Sequence, residues 1–315
     1  MPEATNAPGK RKPDVYVISP AGAVLDAGRL DAGMTALGTL GFVSTSDRAV
    51  LARHQRFAGT DSARIKAFSR AAKQAAPIVM ISRGGYGLTR ILDQLDFEAL
   101  ADAQKHWVGF SDFTAFNLAM LAQAGAGTWA GPAVLEFASL AAACEANGEA
   151  LHEDITAASF CEAMRGEVEG LGFAYDGPRG VDVEGVLWGG NLAMVASMVG
   201  SRYFPQVDRG LLFLEDVAEH PYRIERLLSQ LLHSGVIDRQ AAVLLGDFSS
   251  YRLSALDGGF DLPDVVRFLR SRTATPIVTG LPFGHQGPKL TLPHGARLGL
   301  STDRDNAWLV FPHHH

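Results

Sequence analysis

Three polar side chains in this sequence sit at strand ends, where a fold commonly exposes chemistry. Ser111 follows Trp107-Val108-Gly109-Phe110, Glu215 follows Leu211-Leu212-Phe213-Leu214, and His285 follows a Pro282-Phe283-Gly284 turn. A serine hydroxyl becomes a nucleophile when a nearby base takes its proton. Histidine, with an ordinary pKa near ~6.5, suits that task. The histidine needs a carboxylate to fix its tautomer and stabilise the imidazolium, and Glu215 can do this. The chain order Ser, acid, His works on α/β scaffolds. Plainer readings stay open for each: Ser111 as a helix N-cap, Glu215-Asp216 as the acidic start of a helix near Pro221, His285 as an ordinary turn residue.

Ser111 is placed where a strand turns sharply into a helix. Phe113, Phe116, Met120 and Leu121 recur at helical spacing and predict one apolar stripe. Such a turn pushes a side chain out of the sheet edge and leaves unpaired N–H groups at the helix start. The loop Arg83-Gly84-Gly85-Tyr86-Gly87 likewise follows a strand. It lacks the dinucleotide fingerprint and the Lys-Ser/Thr of a P-loop. Its glycines suit a backbone closing on the site, so that the Gly85 and Asp112 N–H groups form an oxyanion hole; a plain tight turn is the alternative. Candidate substrate contacts are Arg83, Tyr86, Asn191 and Arg223, with Arg226 beside the last. Arg83 either binds a substrate carboxylate or braces its loop against an acid such as Asp112. Gly189-Gly190-Asn191 either lines a cleft or simply turns.

The elements that must position these groups alternate. Val15–Ser19, Gly41–Ser44, Pro77–Ser82 and the run ending at Ser111 read as strands, with helices over Ala23–Leu40 (Leu25, Leu30, Met34 and Leu37 inward) and Ser62–Ala75 between them. Alternation of this kind predicts a parallel sheet covered on both faces, with ligands beyond the carboxyl ends of its strands. The chain divides into this α/β domain over 13–145, a glycine-punctuated linker over 146–180, and a second domain over 181–312. The second domain carries a helix from Pro221 with Ile224, Leu227, Leu228, Leu231 and Leu232 at helical spacing.

The 315 residues are 47% hydrophobic and 20% charged, with a formal net charge of -6, which allows a sizeable core and argues against nucleic acid as a partner. Cys144 and Cys161 lack zinc-ligand spacing and give no disulfide framework. His54, His106, His152, His220 and His233 are scattered, so no metal and no cofactor are expected. Met1–Pro13 has no apolar core of signal-peptide length, and no run of about 18 apolar residues occurs. The expectation is a cytoplasmic protein with no membrane partner. Pro312-His313-His314-His315 reads as the remnant of a purification tag.

Taken jointly, five motifs resemble the LD-carboxypeptidase (muramoyl-tetrapeptide carboxypeptidase) family of serine peptidases. They are Ser82-Arg83-Gly84-Gly85-Tyr86-Gly87, Gly109-Phe110-Ser111-Asp112, Gly189-Gly190-Asn191-Leu192, Leu214-Glu215-Asp216-Val217 with Pro221-Tyr222-Arg223-Ile224, and Leu281-Pro282-Phe283-Gly284-His285. The resemblance runs from about Val15 to Leu300. It implies Ser111 as nucleophile, Glu215 as acid and His285 as base. It also implies an αβα first domain with a mostly parallel sheet, a smaller β-rich α/β second domain, and a homodimer whose substrate is a muropeptide stem in cytoplasmic cell-wall recycling, cut between the L-centre of its third residue and the terminal D-alanine. Two departures stand out. Phe113 replaces the second glycine of a hydrolase elbow, and His294 stands in Thr291-Leu292-Pro293-His294-Gly295 where an aliphatic residue is expected, competing weakly with His285 as base. The rival readings are a microcin C immunity-type peptidase cleaving aminoacyl-nucleotide amides, and a non-catalytic muropeptide-binding protein.

Overall fold

The computed structural model describes residues 14–311; the readings of Met1–Pro13 and Pro312–His315 lie outside them. The first half runs β1 (Asp14–Ile18), α1 (Ala27–Thr39), β2 (Val43–Ser46), α2 (Asp61–Ala72), β3 (Ile78–Ile81), α3 (Phe97–Asp102), β4 (His106–Gly109), α4 (Thr114–Ala124), β5 (Thr128–Ala130) and α5 (Val134–Asn147). Its strands are short apolar runs whose hydrogen bonds are completed in parallel by neighbours on either side. Asp26 caps α1 by accepting the Arg29 N–H, so the helix begins four residues later than expected. Leu25, which was expected inward, therefore precedes the helix and is 71% exposed.

The chain continues through α6 (Ile155–Arg165), β6 (Gly170–Ala174), β7 (Asp182–Asn191), α7 (Leu192–Met198), β8 (Leu211–Val217), α8 (Pro221–His233), β9 (Ala242–Ser249), α9 (Leu262–Arg270), β10 (Ile277–Thr279), β11 (Leu292–His294), β12 (Arg297–Thr302) and β13 (Asn306–Val310). Pro221 opens α8 at a position where its missing N–H costs nothing, and Ile224, Leu228 and Leu231 are buried beneath it.

Two sheets result. The first has the order β11-β5-β4-β3-β1-β2 and is parallel except for β11. The second has the order β10-β9-β8-β7-β12-β13-β6, parallel from β10 to β7 and antiparallel beyond. The fold is thus the mixed α/β arrangement expected. Residues 146–180, read as a linker, hold ordered elements. Phe160 and Ala157 of α6 pack in the core under the first sheet, and β6 pairs with β13 at the edge of the second.

The joint between the halves is α4. From Thr114 to Met120 none of its residues is more than 1% exposed. The predicted single stripe is therefore a helix buried all round, because α4 packs on the first sheet and also against α7 and β7. One apolar cluster runs from Tyr16 and Ile18 through Phe116 to Leu212 and Leu309. Full burial of each large apolar side chain in it contributes about 1.5–3 kcal/mol. Such a core ties the two sheets firmly together. Among the described residues no helix is long and apolar enough to cross a membrane.

Candidate active site

Ser111 opens a tight 3-10 turn, Ser111–Phe113, between β4 and α4. Its φ is 62°, the left-handed region, which costs a non-glycine residue roughly 1–3 kcal/mol and persists only where the surroundings impose it. Two contacts do so. Thr114 Oγ1 accepts the Asn191 N–H at 3.0 Å, tying the turn to the end of β7. Gly190 makes that approach possible, since a Cβ there would stand 2.5 Å from Thr114 Oγ1. Asp112 turns inward, and its carboxylate accepts the Leu88 N–H at 2.8 Å. Burial raises its pKa to about 6, against the opposing pull of the Leu88 and Gly87 backbone and of Arg64 and Arg56.

The glycine loop lies directly against this turn. Gly84 is the residue in contact: a Cβ placed on it would meet Ser111 Oγ at 3.1 Å. The Gly87–Leu88 peptide is gripped from both sides, its N–H by Asp112 and its carbonyl by Arg64 Nη1 at 2.8 Å. Arg64 is fully buried and also donates to Pro20 O at 3.0 Å. Neither the Gly85 nor the Asp112 N–H has an acceptor among the described residues.

Glu215 and His285 come from the second half. Glu215 is 0% exposed; its Oε2 lies 2.7 Å from His285 Nδ1, and its Oε1 accepts from Asn191 Nδ2 at 3.2 Å. The β8–β9 register slips between Leu214 and Asp216, at Glu215. A slip of this kind re-aims side chains, and the consecutive residues Glu215 and Asp216 both bond Asn191. Asp216 also accepts the Ala193 N–H at the start of α7, rather than serving α8, and burial raises it to about 6. The turn bearing His285 is fixed on β9, where the Asp247 N–H donates to Phe283 O at 2.9 Å. With Nδ1 engaged by Glu215, His285 keeps Nε2 as its free ring nitrogen. His285 and Ser111 are not hydrogen-bonded to each other, a bond that unliganded sites often close only on substrate. They meet through Phe110, whose ring centroid is 4.8 Å from that of His285.

The neighbourhood thus holds a strained serine, a histidine on a buried carboxylate and a pair of free backbone donors. The chain matches the LD-carboxypeptidase N-terminal domain over residues 15–131 and the LD-carboxypeptidase C-terminal domain over residues 184–300. A murein tetrapeptide carboxypeptidase of Pseudomonas aeruginosa is 30% identical over 295 residues, covering 92% of this chain and 94% of the relative. This chain belongs to the LD-carboxypeptidase family. Its fold superimposes on the crystal structure of muramoyltetrapeptide carboxypeptidase from Oxalobacter formigenes with a TM-score of 0.83 at 38% identity, over 95% of this chain and 99% of that one. The microcin C7 self-immunity protein of Escherichia coli is 27% identical over 262 residues, 72% of each chain.

This LD-carboxypeptidase is a serine-type peptidase and a hydrolase. The other expected contacts divide. Arg83 does not pair with Asp112; it donates to Ala23 O at 3.3 Å and lines a cavity of about 590 Å³ together with Arg29, Glu136 and His285. Asn191, expected at the substrate, is 7% exposed, with its amide turned inward onto Glu215, Asp216 and Met194. Arg223 is paired with Glu219 on the surface, and Arg226 lies over the Tyr222 ring. Tyr86 is 47% exposed beside Phe57 and Arg56. His294 cannot replace His285: it is fully buried, and its ring stands edge-on to Phe213.

Two residues of the LD-carboxypeptidase site were not anticipated. Arg64 shares the buried face of α2 with Ala67, Phe68 and Ala71, and an arginine inside that apolar spacing is the signal that marked it. Lys289, 2% exposed, pairs with Glu136 and places its Nζ 3.1 Å from the Phe110 ring centroid. Among the described residues no group of three or more His, Cys, Asp or Glu is gathered to hold a metal ion.

Proposed function

We propose that this LD-carboxypeptidase hydrolyses the amide joining the L-centre of the third stem residue of a muropeptide tetrapeptide to its terminal D-alanine. Ser111 Oγ attacks the carbonyl while His285 Nε2 takes its proton. Glu215 fixes the tautomer and stabilises the imidazolium. The Gly85 and Asp112 N–H groups face the oxyanion that develops. His285 then returns the proton to the departing amine, leaving an acyl-enzyme on Ser111, and water hydrolyses that ester with His285 again as base.

The observation that carries this reading is the Glu215–His285 pair at 2.7 Å beside a serine held at φ 62°. The likeness to a murein tetrapeptide carboxypeptidase supports the substrate class. We further infer that the enzyme is a cytoplasmic homodimer working in cell-wall recycling.

The test is mass spectrometry of products from a defined tetrapeptide. Release of one D-alanine by the wild-type enzyme and none by Ser111→Ala supports the reading. Cleavage of an aminoacyl sulfamoyl adenosine with the tetrapeptide left intact would move the enzyme to the immunity-type reaction. Binding of the tetrapeptide with no product and no labelling of Ser111 by a serine-reactive probe would make it a binding protein.

A further inference from the structure

We propose that the cavity beside His285 is the binding site for the substrate's free terminal carboxylate, and that Arg83 and Arg29 hold it; this rests on the reaction proposed above. The cavity has a volume of about 590 Å³, and Arg29, Arg83, Glu136, Leu135 and His285 are among its lining residues. Its charges are not balanced. Glu136 is neutralised from behind, with Oε1 on the buried Lys289 ammonium and Oε2 accepting the Ala133 N–H at 2.7 Å. Among the described residues, neither arginine has a carboxylate partner. Arg83 Nη1 donates to Ala23 O at 3.3 Å, and Arg29 Nη2 donates to Ser139 Oγ at 2.7 Å. The cavity therefore presents two guanidinium groups and no unengaged acid.

Its position gives that charge a use. His285 must hand its proton to the departing amine, so the leaving residue lies on the side that His285 opens to, and this cavity borders His285. The carboxylate of a terminal residue is one carbon beyond its amine, which brings it within the same space. Arg83 is also tied to the nucleophile's surroundings. It precedes Gly84, which touches Ser111. Its guanidinium runs along the loop, with Nη2 3.7 Å from where a Cβ on Gly85 would stand and Nε 3.5 Å from one on Gly22. A planar guanidinium fork held in one orientation matches a carboxylate in two parallel bonds, and an amidated or extended chain end offers no such partner. The site would thus make the enzyme a carboxypeptidase rather than an endopeptidase.

The experiment compares a tetrapeptide with its C-terminally amidated form, using wild-type enzyme, Arg83→Met, Arg29→Met and the double variant. It measures kcat/KM for both peptides. It also measures, by calorimetry, their binding to Ser111→Ala protein with and without the arginine changes. The expected result is an acid-over-amide preference of at least about tenfold in the wild type, falling toward one in the double variant. Arg83→Lys keeps the charge without the fork and should fall between. An unchanged preference in a double variant of wild-type Tm would overturn the proposal, as would equal binding of acid and amide to Ser111→Ala. If wild-type enzyme frees neither D-alanine from the acid nor D-alaninamide from the amide, the proposed reaction fails, while the binding comparison still decides the anchor.

Discussion

His285 Nδ1 lies 2.7 Å from Glu215 Oε2, and the other oxygen of that fully buried carboxylate accepts from Asn191. The pair fixes which histidine nitrogen is free to work. Replacing Glu215 by Gln keeps the shape and removes the charge that favours Nδ1–H. We expect Glu215→Gln to lower kcat by about 10³–10⁴-fold with KM little changed, as loss of tautomer control does in other triads. Steady-state kinetics checks this, and a kcat within threefold of wild type would contradict it.

Gly84 supplies a steric prediction. It needs no left-handed backbone, so alanine is tolerated by the chain, yet a Cβ would stand 2.9 Å from Ser111 Cβ and 3.1 Å from Oγ. Gly84→Ala should lower kcat by about 10²-fold through displacement of the nucleophile, with only a small change in Tm. Unchanged kcat would mean that the hydroxyl acts from elsewhere.

His294 supplies a stability prediction. It is fully buried, neither ring nitrogen has a partner among the described residues, and burial pushes its pKa down to about 3. An unfolded histidine takes its proton near ~6.5. Between those values the unfolded chain binds the extra proton, so stability present above about pH 6.5 is lost as pH falls toward 3. His294→Leu should stabilise the protein by about 1–3 kcal/mol at pH 7.5. The gap should widen on acidification, by at most about 1.4 kcal/mol per pH unit. Urea titrations of both proteins at pH 7.5 and 5.5 check it, and a gap independent of pH would refute the titration argument. Activity at pH 7.5 should be unaltered.

The ion pair of buried Lys289 with the half-buried Glu136 joins the segment after His285 to α5. The same segment is tied to α6, with the Lys289 and Thr291 N–H groups donating to Thr156 Oγ1 and Ser159 Oγ. Lys289→Met leaves the half-buried Glu136 without its partner, and we expect a loss of about 1–2 kcal/mol. Adding Glu136→Gln should recover part of it, giving a coupling of at least about 1 kcal/mol. Additive losses in denaturant titrations would show that the two do not act as a pair.

The sequence carried the strand ends, because apolar runs and the turns that stop them are local. The short glycine-bordered motifs marked Ser111, Glu215 and His285 for the same reason. What it did not carry was direction. Asn191 was read as a substrate contact or a turn residue and Asp216 as part of a helix's acidic start, yet both are buried and bonded to each other beside Glu215. Lys289 passed unnoticed, since nothing local announces a partner more than a hundred residues away. Residues 146–180 read as a linker because alanine and glycine are frequent there. Their order comes from partners distant in the chain, the first-sheet core for α6 and β13 for β6.

In the proposed reaction Ser111 and His285 act as one catalytic unit. The deciding measurement is kcat for release of D-alanine from a defined tetrapeptide by Ser111→Ala, His285→Ala and the double variant. Each single change should lower kcat by about 10⁴–10⁶-fold, and the double variant should be barely worse than either. Single losses that multiply in the double variant, or a His285→Ala enzyme of near wild-type kcat, would contradict it.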